Sequence, residues 1–196
     1  LTRLGLPAPT PGTVELLVDG PEFFPALEEE LRNARESIDL QLYIWDNDDI
    51  SVHYADLVKK HGRSVPTRIL LDDIGTTVSA SLEPHTPAPA GFRAVPDMAR
   101  YLRRDSSLQL RRILNPWAVL DHCKLLVFDG RTAFLGGINI GREYYSEWHD
   151  LMVRVRGPVV DQLQPEFDKK WRFAHPLGDL SLLRTPPGVS PRAGPP

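Results

Sequence analysis

Between Ile38 and Leu71 the apolar period of the chain changes from about two residues to about 3.6 and back again, a pattern that few folds accommodate. Ile38, Leu40, Leu42 and Ile44 alternate with Asp39, Gln41, Tyr43 and Trp45, which predicts a strand. Ser51 to His61 then reads as a helix stopping at Gly62, and Thr67 to Leu71 as a mostly apolar strand running into Asp72 and Asp73. Strand, helix and strand in that order imply a right-handed parallel crossover.

Before this unit, Val14 to Val18 reads as a short strand. Gly20-Pro21 then opens a helix whose Phe23, Phe24, Leu27, Leu31 and Ala34 recur at helical spacing. Beyond it, Ile74 to Pro96 carries four prolines and little apolar periodicity, so it is expected to be a rim or lid. Asp97 to Arg104 reads as a short helix and Leu108 to Leu114 as a strand. Lys124 to Phe128 reads as another strand, closed by Asp129-Gly130 as a hairpin turn into Thr132 to Leu135. Leu151 to Val155 is a further strand, and Pro158 to Phe173 an amphipathic helix with Val159, Leu163, Phe167 and Trp171 on one stripe. The expectation is an α/β layer fold: a mixed, largely parallel sheet flanked by helices on both faces. Residues 1–13 form a Pro-rich leader, 14–176 one domain, and 177–196 a Pro/Gly-rich tail or linker. A start at Leu1 and an end in that tail suggest a segment of something longer.

Composition narrows the partners. At 41% hydrophobic and 25% charged residues the 196-residue chain is ordinary for a globular domain, and a net charge of -3 offers no general polyanion surface. Nucleic acid is therefore not the expected partner, and an anionic substrate must be held by a local cluster of cations. The single Cys123 cannot form an internal disulfide. No apolar run approaches the roughly 20 residues that cross a bilayer, so the chain is expected to be soluble as it stands. The group Arg100, Arg103, Arg104, Arg111 and Arg112 reads as a solvated face before a headgroup site.

The chemistry concentrates between Asp121 and Asp150. His122 and Lys124 are two apart, so in an extended segment they project from one face, with Cys123 turned the other way into packing. A neutral imidazole can attack phosphorus or pass a proton, and a lysine ammonium can hold a phosphate oxygen, a pair suited to phosphoryl chemistry without a metal. Gly136 and Gly137 let backbone approach a ligand, and Asn139 adds an amide donor for a second phosphate oxygen. Asp150 is the candidate carboxylate to orient the histidine. Asp129, in an Asp-Gly turn, is expected to cap backbone amides. His149 is expected to alternate away from the site, Tyr43, Trp45 and Trp117 to be core or rim aromatics, and Gly136 to Gly141 lacks the Gly-Lys-Ser/Thr of a nucleotide loop. No His/Cys/Asp/Glu set has metal-ligand spacing, so neither a catalytic metal nor a cofactor is expected.

His122-x-Lys124 with Asp129, followed by Gly136-Gly137-x-Asn139 and Asp150, resembles the signature of the phospholipase D superfamily. The flanks Phe128-Asp129-Gly130, Tyr144-Tyr145, Trp148-His149-Asp150 and Gly157-Pro158-Val159-Val160 look most like bacterial cardiolipin synthases. The opening Asp19-Gly20, Phe23-Phe24-Pro25-Ala26-Leu27 and Tyr43-Ile44 is similar to the first catalytic half of that subfamily, so the resemblance runs from about Val14 to Phe173. It implies a phospholipase D-like domain that passes a phosphatidyl group through a phosphohistidine to an alcohol acceptor or water, at a membrane surface on the cytoplasmic side. It also implies two such motifs facing each other. No other histidine here has a lysine two residues on, so the second half would come from further chain or a homodimer partner. A single-motif homodimeric phosphodiesterase or nuclease, and a non-catalytic half, are the rival readings.

Overall fold

The computed structural model describes residues 9–82, 86–113 and 120–174. The expectations placed on Pro7, Pro84, His85, Leu114, Trp117, His175 and the tail lie outside them. In chain order the elements are β1 (Thr13–Val18), α1 (Asp19–Asn33), β2 (Ile38–Leu42), α2 (Asp49–His61), β3 (Thr67–Asp72) and α3 (Asp73–Ser79). Then follow α4 (Met98–Arg103), β4 (Gln109–Ile113), β5 (Leu125–Phe128), β6 (Thr132–Gly136), α5 (Arg142–Ser146), β7 (Leu151–Arg156) and α6 (Val160–Phe173).

The seven strands form one sheet in the order β1-β7-β6-β5-β2-β3-β4. The α/β class and the mixed sheet are as expected, but the balance of ladders is antiparallel rather than parallel. Only β2–β3 and β3–β4 run parallel, while β1–β7, β2–β5, β5–β6 and β6–β7 are antiparallel. The reason lies in the connections: a parallel neighbour needs a crossover, and among the described residues the β2-to-β3 and β3-to-β4 crossovers are the ones that return to an adjacent strand, whereas α1 carries the chain from β1 to β2, which is not its neighbour. β5 and β6 are instead a hairpin. Asp129 and Gly130 take φ of 53° and 61°, and the Arg131 amide donates to the Phe128 carbonyl at 2.9 Å to close the turn.

Strand alternation sends side chains to two cores. Ile38, Leu40, Leu42, Ile69, Leu71, Leu126, Phe128, Phe134 and Met152 join α1, α2 and α4 residues in the larger cluster. Leu70, Leu125, Val127, Ala133 and Val155 join Val160, Phe167 and Trp171 of α6 in the smaller one on the other face. That face also carries charge: Arg68 holds Asp39 at 2.6 Å and Asp168 at 2.8 Å, with its guanidinium 4.9 Å from the centre of the Phe167 ring.

One expectation is corrected within the proposed lid. Its first residues are helical, because Asp72 accepts a 2.7 Å hydrogen bond from the Gly75 amide and so caps α3. Gly75, Thr76, Thr77 and Val78 are weak helix formers, and it is this cap and the packing behind it that overrule their propensity. Short α5 likewise left no periodic trace.

Asp129 ties the hairpin to the chain before β2. Its carboxylate accepts from the Arg35 amide at 3.0 Å, Glu36 at 2.7 Å and Ser37 at 2.9 Å. Burial pushes its pKa up, but these amides together outweigh that and hold it below the ordinary carboxylate value. Asp129→Ala removes three hydrogen bonds and places alanine at positive φ, so a loss of about 1–2 kcal/mol in urea unfolding is expected. Because the folded pKa is depressed, the contribution is full above the ordinary value and fades as pH falls through the lowered one. The difference between parent and Asp129→Asn should therefore narrow in acid; a difference that does not change with pH would contradict this.

Candidate functional site

Apart from Asp129, which caps the far end of β5, the predicted site residues converge on one end of the sheet. Along that rim lie the C-terminal ends of β1, β6, β2 and β3 and the N-terminal ends of β7 and β5, as Val18↔Leu151, Gly136↔Met152, Leu125↔Leu135, Gln41↔Leu125 and Leu42↔Leu71 are paired. His122, Cys123 and Lys124 enter this rim in extended chain just before β5. The alternation of β5 continues into them: His122 and Lys124 share the side of the larger core, and Cys123 turns to Lys170 of α6 on the other. Cys123 is exposed rather than packed, since α6 reaches it with a lysine and not with an apolar side chain.

Lys124 is 2% exposed, and its Nζ lies 3.0 Å from His122 Nδ1 and 3.0 Å from the His122 carbonyl oxygen. Among the described residues no carboxylate forms an ion pair with it. Burial, the larger cause, lowers its pKa, while the charges of Asp150, Cys123 and Asp121 act the other way. A buried ammonium without a counter-ion is a costly arrangement unless an anion arrives. His122 itself is exposed. Burial of part of its ring and the Lys124 charge lower its pKa, opposed by Asp150, Asp121 and Asp72, so the imidazole stays neutral to a lower pH than a free histidine.

Asp150 sits beside this pair without touching His122. Its Oδ1 accepts from the Leu151 amide at 2.7 Å, and a Cβ at Gly137 would overlap the carboxylate, so Gly137 is the residue that makes room for it. Among the described residues no hydrogen bond joins Asp150 to His122, and its action on the imidazole is through charge. Gly136 approaches β7 so closely that a Cβ would meet the Leu151 carbonyl and lie 2.9 Å from the Met152 Cα. Asn139 is buried and turned inward: its Oδ1 accepts from the Ile44 amide at 3.0 Å, and its side chain also bonds Tyr144. It therefore fastens the chain after β2 to the chain after β6. His149 leans away from the pair, with Nδ1 3.1 Å from Asp19 Oδ2, while Asp19 Oδ1 accepts from the Asp150 amide at 2.8 Å.

Four residues that the motif did not mark complete the rim. Asp121 accepts from Lys170 at 2.7 Å and from Gln41 at 3.1 Å, and its amide donates to buried Asp72 at 2.9 Å. Tyr43 lies against His122, ring centres 4.4 Å apart. Of these, Tyr43 reads from the sequence as a core or rim aromatic and Asp72 as part of an acidic pair at a strand end, whereas Asp121 and Lys170 look like any polar residue. Among the described residues no three His, Cys, Asp or Glu side chains are grouped to hold a metal ion, and no helix is long and apolar enough to cross a membrane.

Comparison with known proteins places these observations. Residues 27–171 match the family model described as the cardiolipin synthase, PLD-like domain. The chain is 31% identical over 190 residues to cardiolipin synthase A of Pseudomonas fluorescens (strain SBW25), a match covering 89% of this chain and 36% of that protein. It is 27% identical over 190 residues to the major cardiolipin synthase ClsA of Bacillus subtilis (strain 168), covering 93% of this chain and 37% of the relative. The chain thus spans a little over a third of the length of these relatives. Among solved structures, the phospholipase D family member Nuc from Salmonella typhimurium aligns with a TM-score of 0.63 at 16% identity, over 83% of this chain and 95% of that one. NucT from Helicobacter pylori aligns with a TM-score of 0.61 at 14% identity, over 81% and 95%. At such identities these two speak for the fold.

Proposed function

This chain belongs to the family of the cardiolipin synthase PLD-like domain, and on that footing we propose that it supplies one catalytic half of a phosphatidyltransferase or phosphodiesterase acting on glycerophospholipids. The observation that carries the reading is the Lys124 ammonium, 2% exposed, without a carboxylate partner among the described residues, and held 3.0 Å from an exposed imidazole. A phosphodiester is the anion that such a site fits.

In this reading a nonbridging phosphate oxygen takes the ammonium's hydrogen bond in place of the imidazole nitrogen. The freed imidazole lone pair attacks phosphorus, a P–N bond forms, and the P–O bond to the leaving alcohol breaks. A histidine of a second motif gives that alcohol its proton and then takes one from the incoming alcohol or water, whose oxygen displaces His122 from phosphorus. The roles of the two histidines can be exchanged without changing the balance. Asp150 steadies the charged imidazole by its field, while Gly137 leaves the space that Asp150 needs. Asn139 holds the Ile44 amide through its carbonyl oxygen, and its amide N–H groups are the donors that would meet a second phosphate oxygen. The second motif comes from further chain or from a second copy, and lipid substrate is met at a membrane surface.

Phosphatidylglycerol vesicles with and without added glycerol, run beside a single-stranded DNA substrate, test the reading. Release or exchange of the headgroup, lost in His122→Ala, supports it. Cleavage of DNA with no turnover of lipid would replace it with the nuclease reading, and no turnover of either by the chain extended to the full length of its relatives would favour a non-catalytic half.

A further inference from the structure

Tyr43 has no part in the mechanism above, yet it touches both residues of the pair. It leaves β2 at the site rim, and its ring lies 4.4 Å from the His122 ring, centre to centre, at an interplanar angle of 50°. Lys124 Nζ stands over the same ring, 5.2 Å from its centre. A cation at that distance from an aromatic face is attracted by the ring quadrupole, and more so where water is excluded.

The ring is backed by α3. A Cβ at Gly75 would overlap the Tyr43 ring edge and come within 2.7 Å of the Tyr43 carbonyl oxygen. Thr76 Oγ1 reaches that carbonyl at 3.4 Å. One carboxylate serves both layers: Asp72 Oδ1 accepts from the Gly75 amide at 2.7 Å, and its Oδ2 from the Asp121 amide at 2.9 Å. Helix, ring and histidine loop are thereby set against one another from the end of β3.

We propose that Tyr43 is a positioning residue of this site, a plate against which His122 rests and over which the Lys124 ammonium is held, with glycine at 75 as the condition for its close seating. The proposal rests on reading His122 and Lys124 as the reacting pair. The plate acts through its ring face. Its hydroxyl is pushed to higher pKa by burial and by the Asp72 charge, so it carries no charge near neutrality. The groups facing His122 are Lys124 and Asp121 from its own segment, Tyr43 after β2, Asp72 at the end of β3 and Asp150 before β7. Of these, Tyr43 alone covers the imidazole without charge, so removing its ring restores water to the imidazole and raises the pKa.

The test is an NMR titration of the histidine ring resonances in the 196-residue chain, with the His122 signal identified by its absence in His122→Gln. Parent, Tyr43→Phe, Tyr43→Ala and Gly75→Ala are compared. Tyr43→Phe should titrate with the parent, and Tyr43→Ala should move the His122 midpoint upward by about half a pH unit or more. Gly75→Ala keeps the ring and displaces it, so it should move the midpoint in the same direction; it carries the test if Tyr43→Ala fails to fold. A His122 midpoint unmoved in the folded variants, or moved as far by phenylalanine as by alanine, overturns the proposal. No turnover is needed for the reading. A chain extended to the full length of its relatives that turns over no phosphatidylglycerol, beside a 196-residue chain that shows these shifts, refutes the proposed reaction and leaves the plate standing.

Discussion

His122→Ala is expected to lower phosphatidyl turnover by at least about 10⁴-fold, in whichever assembly provides the second histidine, while thermal unfolding stays within about 0.5 kcal/mol of the parent. The two halves of this result have separate grounds. A nucleophile or general acid removed from a residue pair leaves only binding and field effects, which cannot form or break the P–N bond. For stability, the side chain is exposed and among the described residues it rests on the Tyr43 ring and the Lys124 ammonium, so its truncation opens no cavity. Headgroup release from phosphatidylglycerol vesicles and circular dichroism melting measure the two separately. A matching fall in melting temperature and turnover would make His122 a structural residue.

Lys124→Met should abolish the same turnover and yet stabilise the chain, by on the order of 1 kcal/mol, or about 2–4 °C. Among the described residues the buried ammonium hydrogen-bonds His122 and forms no ion pair with a carboxylate, so the folded state bears most of its desolvation. Methionine fills a similar volume without that cost. The sign of the pH dependence follows from the depressed pKa. Between the folded and unfolded values the unfolded chain binds more protons, so parent stability rises with pH across that interval and the advantage of methionine shrinks in alkaline buffer. A variant less stable than its parent at neutral pH would show that the ammonium contributes to the fold, and the unpaired-anion-site reading of Lys124 would fall with it.

On the proposed function, a site that costs stability in the resting protein is expected, and local sequence shows only part of how it is built. The pairing of His122 with Lys124 was legible because a two-residue period is a property of any extended chain, and it continued past the end of β5 into unpaired backbone. The capping role of Asp129 was legible for a similar reason, since Asp-Gly prefers the positive φ of a primed turn. Spacing singles out Asp150 and Asn139 but does not give their contacts. Asp150 packs on Gly137 instead of bonding His122, and Asn139 spends its acceptor on Ile44, and both facts depend on how close β6, β7 and the end of β2 come.

Local order was thus the sequence's own province: the alternation that makes strands, the apolar stripes that make α1, α2 and α6, the turn before β6, and the imidazole and ammonium sharing one side of the chain. Strand order was not. Nothing local sends β1 to the edge beside β7 or prefers antiparallel ladders across most of the sheet. That order alone brings Tyr43, Asp72, Asp121 and Lys170 to the rim where His122 lies. Contacts between residues far apart in the chain are selected by the joint burial of two cores, a condition on the whole molecule that no short window of residues contains.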